Sequence, residues 1–597
     1  MGHLLRYMRK RDIGLTVLCV LLVAGQVFLD LRMPDYTKEI TLLISSESNV
    51  ISDYFAAGGK MLACAFGSAL LAVVVGYLAA SIAADFSYDI RGRVFAKVSD
   101  FGAGEISRFS TASLITRTTN DITQIQMVVA MGLQVLIKAP IMAVWAIMKI
   151  IGKSWELSVL TASAVVIIVT VMGILMAVLI PKFKIVQKQV DDVNRVTREN
   201  LTGLKVVRAF NAEKYQEDKF EQANGSLMKT QLFTTRGMAF LFPVMMFVQS
   251  GLSLGIYWLG AWLIDDIAIP LDGTAAQIFT SIGARADLLG DVVAFNSYAL
   301  YVVMSFVLLL MIFVMLPRAQ VSADRINEVL HADIAVKEGT TEGTDLEEKG
   351  TIEFRNVSFR YPNAAENCLE NISFKAEKGQ TIAVIGATGS GKSTLVGLAA
   401  RLYDATEGEV RIDGKDVREY SFHGLYHKLG YVTQKAVLFS DTIENNVAFG
   451  EAAEKVERRD VEHALDIAQG TEFVNRMEDG LDSKIAQSGS NLSGGQKQRL
   501  AIARAVARKP EILIFDDSFS ALDYKTDKEL RKRLSSDLQG TTCVIVAQRI
   551  GTIRHADKII VLEDGKAVGI GTHEELMKNC SVYQEIALSQ LSQAELA

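Results

Sequence analysis

Thr381-Ile-Ala-Val-Ile-Gly386-Ala-Thr-Gly389-Ser390-Gly391-Lys392-Ser393-Thr394 decides the fold of the C-terminal half of this 597-residue chain. Its first five residues form a short, nearly continuous apolar run, the pattern of a strand buried on both faces of a parallel sheet. The rest matches a phosphate-binding loop. Gly386, Gly389 and Gly391 let backbone N–H groups close around phosphates, and the helix that opens near Thr394 adds partial positive charge. In this pattern Lys392 reaches the β and γ phosphates, Ser390 lies in the cradle and the Ser393 hydroxyl ligates Mg2+.

Two further strands extend the reading. Ile512-Leu-Ile-Phe515 ends in Asp516 and Asp517. A carboxylate at such a strand end holds Mg2+ through water, and the next one is placed to polarise attacking water. Cys543-Val-Ile-Val-Ala547 ends in Gln548. The order of these motifs predicts a mainly parallel α/β sheet with ligand at the carboxyl ends of its strands.

The N-terminal half is of another kind. The chain is 50% hydrophobic and 22% charged, with a mean hydropathy of +0.23. That is too apolar for an ordinary soluble protein and too polar for one wholly embedded in lipid. The long apolar runs all precede about Leu316, at about 13–32, 57–84, 127–151, 157–180, 238–264 and 291–316. A bilayer core takes about 20 apolar residues of helix, and backbone groups in lipid must be satisfied internally, so six membrane helices are predicted. Arg6, Arg9, Lys10 and Arg11 precede the first run as in a signal peptide. The run from Ile13 to Phe28 is longer than such peptides use and no small-residue cleavage site follows, so it reads as a retained span.

Positive charge sets the orientation. Arg91, Arg93 and Lys97 follow the second span, and Lys182, Lys184, Lys188, Arg195 and Arg198 follow the fourth. The opposite loops carry Asp35, Glu39, Glu47, Asp53, Asp265, Asp266 and Asp272. Both termini are therefore expected in the cytoplasm. Segments 85–126 and 181–237 lack the Pro and Gly density of flexible loops, and Val190 to Ala209 places apolar residues on one stripe. The spans are expected to continue as helical stalks.

The expected organisation is a membrane all-α six-helix domain at 1–330, an acidic linker at 331–350 and an α/β phosphate-loop nucleotide-binding domain at 351–597. Lys138, Gln249 and Asn296 are polar residues within spans. Lys138 has three readings: snorkelling, pairing with another chain, or lining a cavity. Met245, Met246, Met304, Met311 and Met315 recur in spans five and six, as packing or as an adaptable ligand surface. The cysteines Cys19, Cys64, Cys368, Cys543 and Cys580 lack metal-ligand spacing and read as small apolar residues. A net charge of -6 gives no footing for nucleic acid.

Between the strand motifs lies Leu492-Ser493-Gly494-Gly495-Gln496-Lys497-Gln498-Arg499, which resembles the signature of ATP-binding cassette (ABC) proteins. Tyr361 resembles that family's adenine-stacking aromatic, Gln434 its Q-loop glutamine and Ser520-Ala-Leu-Asp523 its D-loop. Six spans before one cassette resemble the exporter half-transporters, and Thr197 to Phe210 resembles their stalk. The resemblance covers essentially the whole chain. It implies ATP and Mg2+ as cofactors, with Ser393, Gln434 and Asp516 at the metal. It also implies a head-to-tail pair of cassettes, in which each ATP touches one loop and the other chain's signature.

Two departures bear on mechanism. Family members that hydrolyse ATP carry Glu where Asp517 stands, so this carboxylate falls short by about 1.5 Å, one C–C bond. The switch histidine is replaced by Gln548, an amide that donates a hydrogen bond but cannot become cationic. Both act on the ATP held by Lys392, whereas Ser493 to Gln496, which serve the other ATP, are intact. The resemblance thus implies a weak-site subunit of a heterodimeric, multidrug-type exporter, with a partner half-transporter that carries the catalytic Glu and switch His. A homodimeric exporter of lipid, peptide or siderophore, and an ATP-gated channel or regulator, are the alternatives. The implied setting is the bacterial plasma membrane, with a small-molecule cargo. Ala486-Gln-Ser-Gly489 also departs from a Gly-Glu-Arg-Gly-like segment, and the outer segment 265–290 is long for the family.

Overall fold

The structure is a computed structural model that describes residues 2–590 except 46–50, 152, 270–273, 345, 363 and 453–454. Part of the outer segment 265–290 and the Met311 side chain therefore lie outside the described residues. Contacts divide the chain into two compact units, Met1–Lys97 with Leu114–His331, and Val98–Ser113 with Ala332–Ala597.

The first unit is helical. Among the described residues, six stretches are long and apolar enough to cross a membrane: Lys10–Ser45, Ile51–Ser99, Thr111–Ile151, Trp155–Thr202, Glu213–Asp265 and Ala276–Leu309. Each overlaps one of the predicted apolar runs. The helices outrun the apolar runs of the sequence, as the stalk reading expected. Ile51–Ser99 has 49 residues, Trp155–Thr202 has 48, Glu213–Asp265 has 53 and Ala275–Leu330 has 56. At 1.5 Å per residue the first of these is ~74 Å long. Pro181, Pro243 and Pro317 fall within the other three, whereas Ile51–Ser99 contains no proline.

The third stretch changes winding at a π turn, Gly132–Leu136, just before the helix Lys138–Ile151. Lys138 has a partner that the sequence did not point to. Its Nζ pairs with Asp30 Oδ2 of the same chain at 3.0 Å, and Ser68 donates to the other oxygen of that carboxylate. Lys149 donates to Asp35 at 2.7 Å, and the fully buried Tyr298 donates to the same carboxylate. Lys38 pairs with Asp287 at 2.8 Å and with Asp291 at 3.0 Å. These charges are thus matched, as a weakly polar surrounding demands. Around them Val23, Val27, Met142, Ile168, Phe295 and Ala299 form the apolar core. Asn296 donates to Tyr257 Oη at 3.4 Å. The methionines do not form one surface: Met245 is buried while its neighbour Met246 is exposed.

The second unit holds two sheets. Its strands are β1 Ile352–Phe359, β2 Leu369–Ala376, β3 Thr381–Gly386, β4 Glu407–Ile412, β5 Lys415–Asp416, β6 Leu429–Val432, β7 Ile512–Asp516, β8 Thr542–Val546, β9 Lys558–Glu563 and β10 Lys566–Gly571. The larger sheet has the order β10-β9-β3-β8-β7-β6. All its neighbours are parallel except β10 against β9. The smaller sheet, β2-β1-β4-β5, is antiparallel.

The period of two along the central strands fills both faces. Ala383, Ile385, Leu513, Phe515 and Ile545 enter one core cluster, and Ile382, Val384, Ile512, Ile514 and Val544 enter the other. That double burial is why these strands read as unbroken apolar runs. The short helix Ala103–Phe109 belongs to this unit, where Glu105 accepts from the backbone N–H groups of Gly102 and Ala335, each at 3.0 Å. All five cysteines are free thiols, two of them buried.

Candidate active site

The phosphate loop joins β3 to the helix Lys392–Ala399. Gly389 and Gly391 have φ of +88° and +95°. A Cβ on Gly391 would lie 2.6 Å from Leu369 Cδ2 and 3.0 Å from the Cys368 carbonyl. Dihedral and space both require glycine there. Ser390 Oγ is buried within the loop with no hydrogen-bond partner among the described residues. Buried hydroxyls are almost always bonded, and an anion in the cradle would supply the missing acceptor. The Lys392 ammonium folds over the loop and donates to the carbonyls of Gly386 at 2.9 Å and Ala387 at 2.6 Å. Burial pulls its pKa down, opposed by the nearby Asp517 and Asp516.

Tyr361 stands beside the same helix start. Its Oη lies 2.9 Å from Thr394 Oγ1, and its ring meets Phe359 and Tyr403 edge-on at 4.9 and 5.4 Å. The Cys368 thiol also reaches Thr394 Oγ1, at 3.4 Å.

Strand order brings the acidic end together. Asp516 on β7 is in register with Val546 on β8, so the residues after these strands emerge side by side. Ser393 Oγ donates to Asp516 Oδ1 at 2.9 Å. Asp517 takes a left-handed backbone, φ +48°, and its N–H donates to the Val546 carbonyl at 3.1 Å. Its Oδ2 accepts from Gln548 Nε2 at 2.8 Å and from Gln434 Nε2 at 3.4 Å. Gln434 follows β6, the neighbour of β7.

Burial raises the pKa of both carboxyls above the usual range. For Asp516 the Ser393 hydroxyl opposes that rise and the Asp517 charge adds to it. For Asp517 the amides of Gln434 and Gln548, then Lys392 and Arg549, oppose it. Ser393 Oγ, the Asp516 carboxylate and the Gln434 amide oxygen are a hard oxygen set of the kind that holds Mg2+ beside a phosphate chain.

The signature lies apart from this group. Ser493 caps the helix Gly494–Ala507 in a reciprocal box. Its Oγ accepts from Gln496 N at 3.3 Å, and its own N–H donates to Gln496 Oε1 at 2.8 Å. Asp523 caps the helix Tyr524–Asp537, accepting from Thr526 N at 3.0 Å. Among the described residues no hydrogen bond joins Ser493–Gln496 or Asp523 to the loop 386–394. The predicted residues thus fall into two sets. Tyr361, the loop, Gln434, Asp516, Asp517 and Gln548 converge; the signature and Asp523 do not. Arg549 and Cys368 are additional neighbours that the sequence reading missed. Arg549 follows Gln548 directly and was open to suspicion, but nothing in the sequence marks Cys368.

Comparison with known proteins settles the lineage. The family described as "ABC transporter transmembrane region" matches residues 16–284, and that described as "ABC transporter" matches residues 369–520. An uncharacterized ABC transporter ATP-binding protein of Mycobacterium bovis is 38% identical over 539 residues, covering 89% of this chain and 88% of the relative. The chain belongs to the ABC transporter family. The uncharacterized ABC transporter ATP-binding protein YfiB of Bacillus subtilis is 37% identical over 86% of each chain. An ATP-dependent lipid A-core flippase of Pseudomonas putida is 32% identical over 84% of this chain and 79% of its own. The solved structure of a bacterial Atm1-family ABC exporter with ATP bound superposes with a TM-score of 0.74 at 23% identity, over 97% of this chain and 98% of that one. The fold is that of an ABC exporter half-transporter, and the chain is a multi-pass membrane protein with an ATP-binding transport ATPase domain.

Proposed function

We propose that this ABC transporter chain is one subunit of a heterodimeric exporter. Its own loop holds an ATP that turns over slowly, and its signature completes the active site of a partner half-transporter. The contact between Gln548 Nε2 and Asp517 Oδ2, at 2.8 Å, carries this reading. The residue in the base position is engaged by the residue in the switch position, and both are the weaker member of their type. Asp517 is one methylene short, about 1.5 Å, and misplacing a general base by that much forfeits much of the ~10²–10⁴-fold such catalysis supplies.

In this reading Tyr361 stacks on adenine, Gly386 to Thr394 wrap the phosphates, and Lys392 turns from its two carbonyls to the β and γ phosphates. Ser393, Asp516 and Gln434 would hold Mg2+, which supplies charge neutralisation for the phosphate chain when bound. Ser493, Gly494 and Gly495 present their N–H and hydroxyl groups to the γ-phosphate bound by the partner, and Asp523 lies beside that junction. Closed and open cassettes differ in affinity for ATP, and that difference drives the switch between inward- and outward-facing states. Relatives named as lipid A-core flippases, such as the one in Pseudomonas putida, support a lipophilic cargo. The Lys and Arg distribution supports cytoplasmic termini, and the bacterial relatives support a bacterial plasma membrane.

Mg-ATP hydrolysis in lipid nanodiscs tests the proposal, with the chain alone and co-assembled with the half-transporter encoded beside it. Near-zero turnover alone and robust turnover together, only reduced by Asp517→Asn, is the expected result. Full turnover by the chain alone removes the split-site reading.

A further inference from the structure

A second cluster of ligand-bearing side chains lies in the nucleotide-binding unit, away from the ATP site. The helix Phe422–Lys428 carries His423 and His427. Four residues apart, they share one face, with ring centroids 3.8 Å from each other. Glu451 lies beyond the helix Ile443–Val447, and its carboxylate comes within 3.8 Å of His423 Nε2. One ligand atom from each of His423, His427 and Glu451 lies within 4.8 Å of the other two.

Two further observations distinguish this cluster from a chance meeting of surface groups. His423 Nδ1 is 3.1 Å from Glu342 Oε2, and the other oxygen of Glu342 accepts from Ser421 Oγ at 2.9 Å. A carboxylate on Nδ1 makes that nitrogen the N–H donor, which leaves the Nε2 lone pair directed away from Glu342. This is the arrangement that orients metal-bound histidines. His427 Nε2, in turn, is buried without a hydrogen-bond partner among the described residues.

We propose that His423, His427 and Glu451 form a binding site for a divalent transition metal of the zinc class, with Glu342 orienting His423. Two imidazoles, one carboxylate and an open fourth position suit Zn2+. Zn–N bonds of about 2.0–2.1 Å put neighbouring ligand atoms ~3.4 Å apart in a tetrahedron. Small side-chain rotations reach that spacing, because His423 and Glu451 are exposed. The ion would fasten the loop around Glu451 to the helix that runs directly into β6, and so to the strand that positions Gln434.

The test uses the full chain in nanodiscs, purified without a histidine tag, stripped with chelator and titrated with Zn2+ alone against a chromophoric competitor. One Zn2+ per chain is expected, with a rise in Tm and an X-ray absorption spectrum showing imidazole nitrogen ligands and no sulfur. His423→Ala and His427→Gln should each weaken binding at least about 10-fold, and Glu342→Gln by about 10-fold or more, without removing a ligand. Retained binding of a fluorescent ATP analogue shows that each variant is folded. Absence of stoichiometric Zn2+, thiolate ligation, or affinity unchanged in His423→Ala and His427→Gln overturns the proposal.

Discussion

Gln548 donates to Asp517 Oδ2 at 2.8 Å, the same oxygen that Gln434 approaches at 3.4 Å. The two departures from the hydrolytic pattern therefore meet on one atom and form a single unit. Groups that share a partner are not additive. Gln548→His alone leaves the carboxylate short and should gain less than about 10-fold in turnover at this site, whereas Asp517→Glu with Gln548→His should gain about 10²-fold or more. Single-turnover Mg-ATP hydrolysis in the assembled complex, with the partner's own site silenced, separates these outcomes.

The raised carboxyl of Asp517 makes a stability prediction of defined sign. Its folded-state pKa lies above the unfolded value near 3.9, so the ionised form costs stability at neutral pH. That cost falls away as pH drops through the raised value. Ligand-free Asp517→Asn should therefore melt above the parent chain at pH 7.5. The gap should close as pH falls toward about 4. Tm measured against pH checks it, and a gap that widens on acidification contradicts it.

Gly494 and Gly495 offer a way to separate folding from function. A Cβ on Gly494 meets nothing within 4 Å, whereas one on Gly495 comes within 3.3 Å of the Ala521 carbonyl. Gly494→Ala should leave Tm unchanged or slightly higher, since alanine is the better helix former. Under the proposed split-site arrangement it should still cut ATPase activity of the assembled complex by at least about 10-fold, because the signature N–H groups there serve the partner's γ-phosphate. Gly495→Ala should lower both. Paired Tm and ATPase measurements on the two variants decide the matter.

Lys138 and Asp30 are predicted to depend on one another. Lys138→Met leaves the Asp30 carboxylate, only 11% exposed, with Ser68 as its remaining partner. Breaking a buried pair from one side costs ~3–5 kcal/mol, whereas replacing both charges is often close to neutral. Thermal stability in detergent should fall in Lys138→Met and recover by at least half in Asp30→Asn with Lys138→Met. Failure of the double variant to recover would show that the pair acts through something other than charge balance.

Much of the site was legible because its parts are local. Gly386 to Thr394 is one continuous segment, and Asp516, Asp517 and Gln548 each end a strand whose apolar run announces it. Their convergence required only that β7 and β8 be parallel neighbours. What escaped the sequence was pairing across distance. Lys138 was recognisable as a costly charge in a span, but Asp30 lies at the end of another span, and no periodicity links the two. The same holds for Tyr298 and Lys149 on Asp35, and for Glu451 beside the His423–His427 pair. The methionine pattern left two readings open because composition along a helix does not say which way each side chain turns. Met245 and Met246 are adjacent in sequence and face opposite surroundings.

The helix Ile51–Ser99, 49 residues without a proline, sets a simple mechanical scale. Over ~74 Å of helix, a rigid tilt of about 5° sweeps the far end through ~6 Å, wider than one turn of helix. Helices that hold Pro181 or Pro243 can take up such a displacement by bending at those points, whereas this one passes it on undiminished. Gearing of this kind lets a rotation of a few degrees do the work of a large rearrangement, with every backbone hydrogen bond of the rod left intact.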